Sequence, residues 1–134
     1  DIRDIANIPG MTSGKKHILV IDDDARMLKV IKLHLHEKYD VATAISGKIA
    51  LKFLETKHTD LILLDYAMPD ENGLVVLEKL RANPSTKNIP VIFLTGITDR
   101  KKIQEALVMK PQGYLLKPIN RKRLLAAIQN ILEA

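Results

Sequence analysis

The chain has no cysteine and no tryptophan among its 134 residues. Without cysteine there can be no disulfide and no thiolate metal site, and nothing points to an oxidising compartment. Only two Phe and three Tyr are present, so any core has to be aliphatic. No apolar run approaches the roughly 18 residues that mark a membrane span. The N-terminus carries acids and lacks the apolar stretch of a signal peptide. A cytoplasmic globular protein is therefore expected, and the length suits one domain with one substantial core. Lys and Arg number 21 against 16 Asp and Glu, a formal net charge of +5. That balance fits an acidic partner or nucleic acid, or simply a solvated lysine-rich surface.

What is present is a regular alternation of two periods. Residues 1–14 have no clean periodicity and include the turn signal Pro9-Gly10. They are expected to be a linker or a cloning remnant, with Met11 a candidate internal start, and residues 15–134 to be the folded domain. Short apolar or β-rich runs predict strands at His17–Ile21, Tyr39–Ala44, Asp60–Leu64, Ile89–Leu94 and Gly113–Leu116. Between and after them, helical spacing predicts helices over Ala25–Lys38, from the Ser46 cap to about Thr56, over Gly73–Arg81, over Asp99–Met109, and from the Asn120 cap to about Leu132. Met27, Ile31 and Leu35 form the inward face of the first helix. Ile49, Ala50, Phe53 and Leu54 form that of the second, and Leu74, Leu77 and Leu80 that of the third. Asp24 is placed to cap the first helix, and Thr98 or Asp99 the fourth. Five βα units in strict alternation imply a parallel sheet covered by helices on both faces. In such sheets the site lies beyond the carboxyl ends of the strands, where strand order reverses.

Those ends carry an uneven selection of residues. The first strand runs into Asp22 and Asp23, the third into Asp65, the fourth into Thr95 and the fifth into Lys117. The second contributes no chemistry. Three carboxylates within a few ångströms repel and cannot all stay ionised without a countercharge. Mg²⁺, a hard cation that prefers oxygen ligands, answers that need, with Mn²⁺ a substitute. A carboxylate so placed can attack phosphorus and form an aspartyl phosphate. The metal and Lys117 would offset charge on the phosphoryl oxygens, and Thr95 would donate a hydrogen bond to one.

In order and spacing, Ile21-Asp22-Asp23, Leu64-Asp65-Tyr66-Ala67-Met68-Pro69, Asn72-Gly73, Phe93-Leu94-Thr95-Gly96 and Gly113-Tyr114-Leu115-Leu116-Lys117-Pro118 closely resemble the receiver domain of two-component response regulators. The resemblance covers about residues 16–132. It implies a flavodoxin-like (βα)5 fold with strand order 2-1-3-4-5. It also implies phosphoryl transfer from a sensor histidine kinase or a histidine phosphotransfer domain. Asp65 would be the phosphoacceptor. Asp23 would bind Mg²⁺ directly and Asp22 mainly through water, with the backbone carbonyl of Ala67 a further ligand. Lys117 would pair with the phosphoryl group, or with Asp65 before phosphorylation, and the Lys117-Pro118 peptide would be cis. Thr95 and Tyr114 would form the switch, the ring turning inward behind the hydroxyl. A receiver acts on itself only, catalysing its own aspartyl phosphorylation and dephosphorylation, so no other enzymatic activity is expected.

Several positions depart from the family pattern. Ala67 and Ile97 are apolar where polar residues often flank the path of hydrolytic water, which predicts slow loss of the phosphoryl group. Gly96 follows the switch threonine in place of alanine, and Lys110-Pro111 replaces a usual Gly-Ala, putting the local turn in question. Ile119 stands where phenylalanine is frequent. Arg100, Lys101, Lys102, Lys110, Arg121, Lys122 and Arg123 are concentrated on the fourth and fifth helices or their edges, with Asp99 and Glu105 nearby. That face is read as a candidate for an acidic output partner or a homodimer, and not for direct nucleic-acid binding, since no recognition helix or aromatic platform accompanies it. The four histidines, His17, His34, His36 and His58, are scattered and lack metal-ligand spacing. Two rivals remain: a haloacid-dehalogenase-type phosphohydrolase, suggested by the Asp22-x-Asp24 spacing, and a pseudo-receiver that binds partners without phosphorylation.

Overall fold

The computed structural model describes residues 14–69, 71–96 and 100–133. Five strands, β1 (Lys16–Ile21), β2 (Tyr39–Ala44), β3 (Leu61–Asp65), β4 (Val91–Thr95) and β5 (Gly113–Leu116), alternate with five helices. These are α1 (Ala25–Leu35), α2 (Gly47–Leu54), α3 (Gly73–Ala82), α4 (Arg100–Val108) and α5 (Arg121–Leu132). All strand pairs are parallel, in the order β2-β1-β3-β4-β5. This is the flavodoxin-like arrangement that the alternation implies.

The pleat divides the core in two. Successive strand residues point to opposite faces. Leu19, Ile21, Ile62, Leu64 and Phe93 therefore pack with α2, α3 and α4. Ile18, Val20, Leu61, Leu63, Ile92 and Leu94 pack with α1 and α5. Strands β1, β3 and β4 are covered on both faces, which is why they read as continuous apolar runs rather than as alternation. Strand β5, at the edge, alternates instead: Tyr114 and Leu116 face outward.

Helix starts fall where the caps predict them. Asp24, Ser46 and Asn120 each accept a backbone N–H of the first turn of α1, α2 and α5. Asn72 does the same for α3, and its side chain is the reason that helix opens at Gly73. The expected caps Thr98 and Asp99, like Met11 and Ile97, lie outside the described residues.

Three expectations shift. Strand β4 starts at Val91 rather than Ile89, because Ile89 N–H donates to Thr86 O in a turn and Pro90 has no N–H to offer the ladder. Helix α1 stops at Leu35, three residues early, with His36 as its C-cap. Ile49, expected to face inward, is half exposed. Ala50 and Leu54, one helical turn apart, take the core line, and Ile49 sits about 100° round from it. Lys110 adopts φ +53°, so lysine occupies the left-handed position that the missing glycine would take freely. Among the described residues no helix is long and apolar enough to cross a membrane.

Candidate functional site

The order reverses between β1 and β3: from β1 the chain passes outward to β2, then returns to β3 on the other side. Their carboxyl ends carry Asp22 and Asp65. Both are almost fully buried, while the neighbouring Asp23 is exposed. One carboxylate oxygen from each of the three lies within 4.8 Å of the others. A hard divalent cation with oxygen ligands fits this donor set, since three carboxylates supply ligands and leave room for waters on the exposed Asp23 side.

Backbone contacts hold the cluster. Asp22 N–H donates to Ala44 O of β2 at 3.1 Å, and Asp22 Oδ1 accepts Asp24 N–H at 2.9 Å. Tyr66 N–H donates to Leu94 O at 2.9 Å, tying the residue after Asp65 to β4. Gly73 packs against the back of Asp65. A Cβ there would sit 2.6 Å from Asp65 O and 2.9 Å from both the Phe93 ring and Tyr66 Cα. Only glycine allows α3 to start that close to the strand end.

Lys117 reaches in from the loop after β5. Its Nζ donates to Asp22 Oδ2 at 3.0 Å and to Asp65 Oδ1 at 3.1 Å. Its backbone N–H donates to Thr95 O at 2.8 Å, and the Lys117-Pro118 peptide is cis. Burial pulls the ammonium pKa down, but the bonds to Asp22 and Asp65 outweigh it, so the net shift is upward. Asp65 goes the other way for a carboxylate. Burial, chiefly, pushes its pKa up to about 6; Lys117 opposes this, while the charge of Asp22 and a side-chain hydrogen bond with Asp23 add to it. The Lys117 ammonium therefore does not offset burial and crowding at Asp65, and the three carboxylates form a donor set that could hold a metal ion.

Of the expected site residues, Asp22, Asp23, Asp65 and Lys117 come together. Thr95 ends β4, buried beside them in the fold. Ala67 is exposed on the loop after β3. Tyr114 lies on β5 with its ring outward and 44% exposed. Two features go beyond the sequence reading: the Lys117–Asp22 bond, and the anchoring of Asp22 by the Asp24 N–H. The Asp-Asp-Asp run contains the second, but only the turn geometry reveals it.

Residues 18–129 match the response regulator receiver domain. The chain belongs to that family. Its function is that of a receiver in two-component signalling, where receivers work with histidine kinases or phosphotransfer proteins. Similar proteins include a probable cyclic di-GMP phosphodiesterase of Vibrio cholerae, 36% identical over 77% of this chain and 23% of that protein. The response regulator PleD of Caulobacter vibrioides is 34% identical over 85% of this chain and 25% of its own length. The chain thus spans about a quarter of these two curated relatives. The chemotaxis protein CheY4 of Vibrio cholerae superposes with a TM-score of 0.83 at 29% identity, covering 89% of this receiver and all of that chain. The phosphohydrolase rival is not favoured. Asp24, the second acid of the Asp22-x-Asp24 spacing, is occupied in capping α1 and stands outside the three-carboxylate cluster.

Proposed function

We propose that this receiver takes a phosphoryl group onto Asp65 from a phosphohistidine of a kinase or phosphotransfer protein. The observation that carries the proposal is the convergence of Asp22, Asp23 and Asp65 within 4.8 Å, with Lys117 Nζ at 3.0 and 3.1 Å from two of them. An Asp65 oxygen attacks phosphorus as the P–N bond breaks, and the electron pair leaves with the imidazole. With a pKa near 6, Asp65 is mostly ionised at neutral pH and available as the nucleophile. Mg²⁺ held by Asp22, Asp23, Asp65 and the Ala67 carbonyl would supply positive charge for the phosphoryl oxygens. Lys117 exchanges its bond to Asp65 for one to the phosphoryl group. The Thr95 hydroxyl donates to another oxygen, and the Tyr114 ring, now outward, moves into the space behind it.

The product stays attached, so the modified domain is the signal and the chemistry is confined to Asp65. Ala67 offers no polar side chain to orient water, which favours a long-lived phospho-form. The exposed Lys101, Arg121, Lys122 and Arg123, beside the outward Tyr114 and Leu116, suit an acidic output partner or a second copy of the chain. The side chains of Arg100 and Lys102 lie outside the described residues. A cytoplasmic location, without direct nucleic-acid or membrane binding, fits a partner of this kind.

The test is intact mass after incubation with Mg²⁺ and a small acyl phosphate. A single phosphate adduct is expected, absent without Mg²⁺ and absent in Asp65→Asn. An adduct that survives Asp65→Asn overturns the assignment, and no adduct on the wild type leaves the pseudo-receiver reading in its place.

A further inference from the structure

The loop from β3 to α3 is pinned near its far end by Glu71, the residue before the Asn72 cap. Its side chain is only 25% exposed although it carries a charge. The two carboxylate oxygens serve different helices. Oε2 accepts from Lys79 Nζ of α3 at 2.5 Å. Oε1 occupies the space beside Gly47, the first residue of α2. A Cβ on Gly47 would stand 2.5 Å from that oxygen and equally close to Val76 Cγ2. The side chain that Gly47 lacks thus makes room for the carboxylate. A helix N-terminus carries partial positive charge, which favours an anion in that place.

Glu71 therefore joins its own loop to α2 and to α3. The same loop carries Ala67, whose carbonyl is one of the Mg²⁺ ligands proposed above, and Met68, which is buried. Asp23, another of those ligands, lines a recess of about 310 Å³ together with Met68, Pro69, Gly47 and Glu71. The brace and the metal-binding edge are thus neighbours. Mg²⁺ demands near-ideal octahedral geometry at about 2.0–2.1 Å. A carbonyl on an unbraced loop meets that demand for only part of the time.

We infer that Glu71 is a positioning residue for Mg²⁺: paired with Lys79 and seated against Gly47, it fixes the β3–α3 loop so that the Ala67 carbonyl is held for the ion. This role rests on the metal site proposed above, and it requires no contact between Glu71 and the ion. Groups that orient a metal ligand typically govern affinity by about 10–100-fold.

The experiment is Mg²⁺ titration of the full chain followed by NMR. Amide shifts give the dissociation constant, and the Ala67 carbonyl carbon gives the local signature. Glu71→Ala should weaken Mg²⁺ binding about tenfold and reduce the Mg²⁺-dependent shift of the Ala67 carbonyl at saturation. Lys79→Met separates placement from charge. If only the electric field mattered, removing a cation would tighten Mg²⁺ binding; loss of the brace weakens it. Weaker binding is expected in Lys79→Met and wild-type binding in Lys79→Arg, which keeps the ion pair. Lys79 is 52% exposed, so both variants should keep the fold. Affinity within twofold of wild type in Glu71→Ala, or binding as tight as wild type or tighter in Lys79→Met, would overturn the role. Asp23→Asn should abolish Mg²⁺ binding. Unchanged affinity in that variant would overturn the metal site itself, and the positioning role with it, whereas loss there beside wild-type affinity in Glu71→Ala would overturn the positioning role alone.

Discussion

Asp65 has two opposing claims on it: burial and neighbouring acids favour its proton, while Lys117 favours its charge. The first set prevails, and its pKa rises from 3.8 to about 6. A carboxyl raised on folding binds its proton more tightly in the native state, so its contribution to stability is present below about pH 4 and lost as pH rises through 6. Metal-free protein should therefore gain from Asp65→Asn more at pH 7 than at pH 4.5, in thermal melts corrected for other groups by difference. Mg²⁺ should shrink that gap at pH 7. A pH-independent gap would remove Asp65 as its source. Lys110 gives a second residue-scale prediction. A non-glycine residue at φ +53° carries a penalty of about 1–2 kcal/mol, of which glycine's greater unfolded freedom returns a part. Lys110→Gly should stabilise the fold by about 0.5–1 kcal/mol in urea melts without altering phosphorylation at Asp65; destabilisation would contradict this.

At the scale of elements, the junction of β3 and α3 governs the site. Asn72 caps α3, Gly73 N–H donates to Tyr66 O at 2.7 Å, and the missing Cβ lets the helix start against Asp65. The obstructing atoms are backbone and a packed ring rather than a flexible tip, so they cannot yield cheaply. Gly73→Ala should cost about 1–3 kcal/mol, as overpacking does. It should also slow adduct formation with an acyl phosphate by displacing the Asp65 carbonyl. A variant with wild-type stability and rate would show that the loop relaxes freely. The Glu71–Lys79 ion pair, at 2.5 Å, ties the same loop to the body of α3. Both partners retain solvent contact, so it adds little stability of its own.

For the whole molecule, the surplus of +5 is not evenly spread. Lys101, Arg121, Lys122 and Arg123 are exposed on α4 and α5, flanking the apolar edge strand β5. An acidic partner docking there would feel charges within the screening length of about 8–10 Å at ordinary salt. Its affinity, or that of a phosphorylated homodimer bridged by acidic side chains, should fall several-fold between 50 and 300 mM NaCl by sedimentation or anisotropy. It should fall further in Arg121→Glu. Salt-independent association would place the contact on Tyr114 and Leu116 instead, through burial of apolar surface.

Much of this was legible in order of residues alone. Buried strands announce themselves as unbroken apolar runs, caps as Asp24, Ser46 and Asn120, and a site as acids, threonine and lysine at successive strand ends. Those signals are local or depend only on the handedness and order of βα units. The start of β4, the exposure of Ile49 and the outward Tyr114 depended on packing, because turns and helix faces settle against neighbours distant in sequence. The Lys117–Asp22 bond joins residues 95 positions apart. The meeting of Glu71 with Gly47 at the head of α2 is of the same kind. Sequence by itself determined the architecture and the acids at its reacting edge, since periodicity and connection length constrain both. Tertiary structure alone decided which side chains touch, how Asp65 is charged, and that Glu71 is held between two helices.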